Sequence, residues 1–272
     1  MTLLKYIILG IIQGVTEPLP ISSSGHIYIL KHLFNNTTLF NDLNFEIFLN
    51  FASFIAILII FWKDVIKLIN GFFKYIFDKD NRKKYINEFN YCIAIIVGSV
   101  PVGIIGILFK DSIESLLTRM WIVGITFIVT AICLLIVRNL NGKKSDNDIT
   151  LKDALIIGLI QAMALLPGLS RSGMVLVGCL LCKLNRESSL KYTFMLYFPV
   201  SVATFALGVK DVIEVGLSTS LLVYYIIGMV FSFIFTLLTY KILSNMVKRG
   251  KLWKFSIYLF IIGIIVLIYS II

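Results

Sequence analysis

The stretch EPLPISSSGH, Glu17 to His26, decides how this chain is read. IILGII precedes it and IYILKHLF follows it, both apolar enough for a bilayer interior. Between them stand a carboxylate, two prolines, three serines and an imidazole, so no clean helix runs through. The chain around it has 272 residues, 58% hydrophobic and 15% charged, which excludes a soluble domain and indicates an all-α polytopic membrane protein. Its start, MTLLKYIILG, has no small-residue cleavage site and is read as part of the mature fold. The net charge of +10 would suit nucleic acid, but the basic residues cluster between apolar runs, as in loops facing anionic lipid. The expected partner is therefore the lipid bilayer and not nucleic acid. Cys92, Cys133, Cys179 and Cys182 all sit inside apolar runs and read as small hydrophobes.

Six runs are long enough for about 30 Å of hydrocarbon: Phe45–Trp62, Tyr91–Phe109, Met120–Val137, Tyr192–Gly208, Leu221–Leu243 and Phe255–Ile272. Two further apolar regions, Leu3–Phe34 and Ala154–Leu184, are broken at the centre by Pro, Gly and Ser together. Each half is too short to span, so each region is expected to be a re-entrant helix-loop-helix hairpin. Loop charge supplies an independent test. Lys63–Glu88 holds seven Lys/Arg and Ser244–Lys254 holds four with no acid, so both are expected on the cytoplasmic side. Counting crossings from them puts Arg138–Asp153 and Lys183–Lys191 on that side too, which requires Ala154–Leu184 to re-enter. The cation-poor stretches Asn35–Asn44 and Val209–Ser220 fall outside, as do both termini. VIKLINGFFKYIF, Val65–Phe77, is amphipathic enough to lie on the cytoplasmic surface.

Such a layout implies an internal repeat. Sliding the chain by 148 positions sets IILGIIQGVTEPLPISSSGH on LIIGLIQAMALLPGLSRSGM, matching Gly10 to Gly158, Gln13 to Gln161, Ser22 to Ser170, Ser24 to Ser172 and Gly25 to Gly173. One integral membrane domain over 1–272 follows, built from repeats at 1–140 and 150–272. Each repeat is one hairpin plus three spanning helices. Three crossings invert the second repeat, and inverted repeats place a site where their broken helices meet.

The repeats differ where chemistry would need them to. Glu17 aligns with Leu165, Ser23 with Arg171 and His26 with Met174, so one tip offers acid, hydroxyls and imidazole and the other a guanidinium between two serines. Charges at bilayer depth cost a few kcal/mol or more unless paired or facing a wet cavity. A purely structural Glu17–Arg171 pair would need no histidine, no serine cluster and no glycine at both breaks. Half-helix N-termini with an arginine fork suit phosphate or another anion. A carboxylate and an imidazole beside them permit proton transfer or metal-assisted hydrolysis. Gln13 lies one turn before Glu17, and Gln13 with Gln161 forms a symmetric pair suited to bonding the broken helices.

At these residues the chain resembles the undecaprenyl-diphosphatase family, the integral-membrane bacitracin-resistance type. QGVTEPLPISSSGH is similar to its first signature and PGLSRSG, Pro167–Gly173, to its second. FEIFLNFASFIAILIIFW, SVPVGIIGILFKDSIESL and NRESSLKYTFMLYFPV support the match in order. The resemblance implies a bacterial plasma-membrane enzyme that converts undecaprenyl pyrophosphate to undecaprenyl phosphate and phosphate, regenerating the carrier for peptidoglycan synthesis. It also implies a polyprenyl diphosphate lipid partner and dependence on a divalent metal, magnesium or calcium. The homodimer question stays open. Glu17, Ser23, His26 and Arg171 are the catalytic candidates. Glu17 is assigned to metal binding or base duty, Arg171 to clamping the diphosphate, Ser23 to nucleophile or phosphate ligand, and His26 to proton transfer. Gln13, Ser22, Ser24, Gly25, Ser170, Ser172 and Gly173 are the candidate substrate-binding residues. Covalent and direct-water mechanisms both remain open. Val175 stands where the family has threonine and Pro18 where it has phenylalanine, which removes one hydroxyl and alters one turn. The rival reading is a transporter or flippase of polyprenyl phosphates, which needs anion binding but neither metal nor acid.

Overall fold

The computed structural model describes residues 2–34, 43–116, 119–215 and 219–271. All named elements are helical: α1 (Thr2–Thr16), α2 (Ser23–Leu33), α3 (Leu43–Phe77), α4 (Arg82–Leu108), α5 (Lys110–Leu116), α6 (Met120–Val137), α7 (Leu151–Met163), α8 (Arg171–Leu181), α9 (Arg186–Val215), α10 (Thr219–Lys248) and α11 (Trp253–Ile271). Both expected breaks are present, after α1 and after α7. Most of the expected loop at Asn35–Asn44, and part of that at Val209–Ser220, lies outside the described residues.

Among the described residues, five helices are long and apolar enough to cross a membrane: α4, α6 and α11 over their full lengths, α3 from Phe45 and α10 from Leu221. Their outward faces expose Ile59, Ile107, Leu238, Ile242, Ile264 and Ile268, which is how apolar side chains are disposed when the solvent is lipid. The protein is therefore a multi-pass membrane protein. The sixth expected span, Tyr192–Gly208, falls within α9. α9 also turns Thr193, Tyr197 and Thr204 toward an internal cavity.

The stretch Val65–Phe77 forms no separate surface helix. It continues α3, whose 35 residues reach about 52 Å, well beyond the hydrocarbon thickness. The start of α4 runs alongside this projection. Phe72 stacks on Phe89 with ring centroids 5.4 Å apart, Tyr75 stacks on the same ring at 4.1 Å, and Lys67 pairs with Glu88 at 3.2 Å.

Small residues set the helix crossings. A Cβ on Gly10 of α1 would lie 2.3 Å from the Gly228 carbonyl oxygen of α10, and one on Gly158 of α7 would lie 2.4 Å from the Gly98 carbonyl oxygen of α4. Backbones this close exclude any side chain. The two members of the aligned pair Gly10 and Gly158 thus make the same kind of contact in two places.

The chain ends of each helix pair come back together. Lys5 Nζ donates to the Phe34 carbonyl at 3.3 Å, joining the start of α1 to the end of α2. Lys144 and Leu184 form a parallel backbone bridge, and Asn185 N donates to the Lys144 carbonyl, joining the approach to α7 to the exit from α8. Ion pairs extend this end of the bundle. Lys191 reaches Asp64 at 2.7 Å and Asp146 at 3.0 Å, Lys144 reaches Asp153 at 2.8 Å, and Lys248 reaches Glu187 at 3.1 Å. The four charge-bearing stretches expected to share one side are linked there directly.

Candidate active site

The first tip is built by its serines. α1 stops at Thr16 because Pro18 and Pro20 cannot donate to the preceding turn. α2 restarts at Ser23 behind Ser22, whose side-chain oxygen accepts from Gly25 N at 3.3 Å. Ser22 takes φ 68°, a conformation rare for a side chain larger than glycine's and the sort of strain that collects at functional sites. The second tip repeats the device: Ser170 caps α8 by accepting from Gly173 N at 3.1 Å. The aligned serine and glycine pairs are therefore cap and capped donor. Gly168, at φ 87°, makes the second turn, and Thr126 Oγ1 donates to the Pro167 carbonyl at 2.8 Å to hold it against α6. Ser172 Oγ donates to the Leu19 carbonyl at 3.1 Å and joins the two tips.

Between the tips lies a cavity of about 200 Å³. Glu17, Ser23 and Arg171 all line it. Arg171 Nη2 donates to Glu17 Oε1 at 2.8 Å, Gln13 Nε2 donates to Glu17 Oε2 at 3.1 Å, and Ser23 Oγ donates to Glu17 Oε2. The Arg171 guanidinium also lies over the Tyr197 ring, 4.6 Å from its centroid. Stacked and paired in this way, the fork is held in place before any ligand arrives. The first turns of α2 and α8 also line the cavity, so the positive ends of two helix dipoles converge where the guanidinium sits.

Of the candidate residues, Glu17, Ser22, Ser23, Ser24, Ser170, Arg171 and Ser172 lie on the cavity wall. Gln13 stands just behind, bonded to Glu17. Gly25 and Gly173 serve as backbone at the caps. A Cβ on Gly25 would lie 2.4 Å from the Phe127 ring. His26 is placed elsewhere. It is buried and stacked with Phe127 and Tyr258, with Nδ1 2.7 Å from the Ser22 carbonyl and Nε2 2.7 Å from Tyr258 Oη. Both nitrogens are engaged away from Glu17. Val175 is also away from the wall, 1% exposed within the main core. Thr16, Thr193 and Thr204 give the wall hydroxyls of its own.

Sequence reasoning passed over three wall residues. Asn50 accepts from Gln13 Nε2 at 2.8 Å through Oδ1, and its carbonyl accepts from Tyr197 Oη at 3.3 Å. Asn50 ties the first hairpin to α3, and Tyr197 joins α9 to both Asn50 and Arg171. Gln161 was read only as a helix-bonding partner, yet it lines the cavity. The available signal for Asn50 was an amide inside the apolar run FEIFLNFASF.

A divalent cation can be tested against these donors. Glu17 is the one carboxylate on the wall, and no group of three or more His, Cys, Asp or Glu occurs among the described residues. These described donors form no all-protein cage of the zinc type, and they suit magnesium or calcium, hard ions served by oxygen ligands. Magnesium in particular takes one or two carboxylates and completes its shell with water and substrate phosphates.

With this geometry in hand, comparisons with known proteins are specific. A family model described as bacitracin resistance protein BacA matches residues 6–265. The chain is 40% identical over 267 residues to undecaprenyl-diphosphatase 2 of Bacillus thuringiensis (strain Al Hakam), covering 98% of this chain and 97% of that one. It is 37% identical over 270 residues to undecaprenyl-diphosphatase of Oceanobacillus iheyensis, with 98% and 97% covered. Against undecaprenyl-diphosphatase 1 of Bacillus licheniformis it is 36% identical over 271 residues, with 99% of each covered. Because the match takes in both tips and the helices that hold them, this chain belongs to the bacitracin resistance protein BacA family.

Proposed function

We propose that this protein hydrolyses undecaprenyl pyrophosphate to undecaprenyl phosphate and inorganic phosphate, the activity named in its relatives. The observation that carries the proposal is the meeting of Glu17 and Arg171, one from each tip, with Ser23 donating to the same carboxylate. Arg171, held by Glu17 and Tyr197, offers the N–H groups of its fork that Glu17 does not occupy to the terminal phosphoryl group, and the helix N-termini share the charge. Ser23 Oγ attacks that phosphorus as Glu17 accepts its proton, and the bond from the phosphorus to the bridging oxygen breaks. The electron pair leaves with the lipid monophosphate, which takes the proton from Glu17. Water, deprotonated by the restored Glu17, then attacks the phosphorus, the bond to Ser23 Oγ breaks, and Ser23 takes that proton back from Glu17 as phosphate leaves. His26, bonded to Ser22 and Tyr258, positions the first turn of α2 in this scheme and transfers no proton.

Glu17 would hold a magnesium or calcium ion, with Ser23 and Asn50 offering neutral oxygens. When bound, the ion supplies positive charge to the diphosphate and polarises its phosphoryl oxygens. The setting we propose is the bacterial plasma membrane, with one domain over 1–272 made of inverted repeats at 1–140 and 150–272. Glycine contacts at Gly10 and Gly158 and the paired ends of both hairpins support re-entry. The basic end of the bundle is cytoplasmic and both termini are extracytoplasmic. Recycling of the lipid carrier for peptidoglycan synthesis, and resistance to bacitracin, follow from that activity.

The test is phosphate release from undecaprenyl pyrophosphate by purified protein in detergent, with magnesium or calcium and with chelator, alongside Ser23→Ala and Glu17→Gln. Metal-dependent release that both substitutions remove, with labelled phosphate trapped on Ser23 in the parent protein, is the expected result. A folded protein that binds the lipid without releasing phosphate would favour lipid translocation.

A further inference from the structure

Gln161 and Gln13 occupy aligned positions one turn before the two breaks, and their environments differ sharply. Gln13 is used up, its Nε2 donating to Glu17 and Asn50. Gln161 is 1% exposed, and neither its Nε2 nor its Oε1 has a hydrogen-bond partner. The cause is visible in the alignment. Where the first repeat has Glu17 to receive the amide, the second has Leu165. Thr193, also on the wall, is no substitute, because its hydroxyl donates to the Ser189 carbonyl at 2.8 Å. A carboxamide removed from water without a partner costs more than an ordinary hydrogen bond returns, so a group retained in this state needs a partner that arrives.

The cavity says what that partner is. Gln161 shares its wall with Arg171 and with the first turns of α2 and α8, all of which favour an anion. We infer that Gln161 is a substrate-binding residue whose side-chain N–H group donates to a phosphoryl oxygen of the head group bound between the tips. That the head group is a lipid diphosphate rests on the function proposed above. The hydrogen bond itself requires only a phosphate-class anion. The two glutamines then divide the work: Gln13 positions the carboxylate and Gln161 binds the ligand.

Gln161→Met keeps the length of the side chain and removes its polar atoms. Two quantities decide the matter: the affinity of inorganic pyrophosphate, read from its effect on the thermal midpoint in detergent, and the KM and kcat for undecaprenyl pyrophosphate. The expected outcome is a ligand-free midpoint no lower than that of the parent, with pyrophosphate affinity and 1/KM both reduced about tenfold and kcat nearly unchanged. Unchanged pyrophosphate affinity and KM would overturn the inference and leave Gln161 as a site for bound water. Should the Met variant fail to fold, Gln161→Glu retains polarity but puts a carboxylate where a donor is needed, and must weaken pyrophosphate at least as much. Pyrophosphate binding equal to that of the parent in this variant would also overturn the inference. If the parent protein binds pyrophosphate through Gln161 but releases no phosphate, the hydrolytic reading falls and the binding role stands.

Discussion

Glu17 accepts from Arg171, Gln13 and Ser23 at once, and each donor comes from a different part of the fold. Gln in its place keeps the shape but cannot take a proton. Glu17→Gln is therefore expected to lower kcat by at least about a hundredfold, measured as phosphate release, while the thermal midpoint changes little. Arg171→Lys keeps the charge but loses the fork and the stacking over Tyr197, so KM should rise about tenfold or more in the same assay. Glu17, Ser23 and Arg171 were legible in the sequence because polar groups inside apolar runs have few structural excuses. Asn50 and Tyr197 were not, since a single amide or phenol in a long span reads as packing until its neighbours are known. His26 shows the opposite limit: closeness to a tip in sequence does not fix where a side chain points. The first turn of α2 sends Ser23 toward Glu17 and His26 toward α6 and α11.

Among the elements, the two broken pairs depend on their caps and their glycines. Ser170→Ala removes the acceptor of Gly173 N and is expected to destabilise the protein by about 1 kcal/mol, seen in the thermal midpoint. Gly158→Leu is expected to be far more damaging, since its side chain would have to displace the Gly98 backbone, and loss of folded protein on size-exclusion in detergent checks it. The breaks themselves were readable from Pro, Gly and Ser occurring together. Helix lengths were less so. The run to Trp62 was expected to end at the membrane edge, but Val65–Phe77 has no breaker before it, and α3 simply continues. The apolar count showed no sign that part of the face of α9 serves the cavity.

Across the whole molecule, ion pairs gather the basic loops at one end, and their titration gives a signed expectation. Burial works against ionisation of Asp153, yet hydrogen bonds from Lys144 and Thr150 hold its carboxyl below the ordinary range. Its stabilisation is thus complete above the unfolded pKa of about 3.9 and is lost as pH falls through the lower folded value. Burial likewise opposes the charge on Lys191, but Asp64 and Asp146 raise its pKa, so its contribution is present below about 10.4 and lost as pH rises through the folded value. Thermal midpoints against pH should fall at both extremes, with Asp153→Asn flattening the acid limb and Lys191→Met the alkaline one. The sharing of one side by these loops was deducible from charge counts, whereas which cation meets which carboxylate required the fold.

The central claim is that two hairpin tips far apart in sequence act as one site on one diphosphate. A double-mutant cycle on phosphate release tests it most directly, using Glu17→Gln, Arg171→Ala and the two combined, with kcat/KM for undecaprenyl pyrophosphate as the readout. The expected result is strong coupling, the double variant being little worse than the poorer single one. Losses that simply multiply, or a Glu17→Gln protein with full activity, would contradict it.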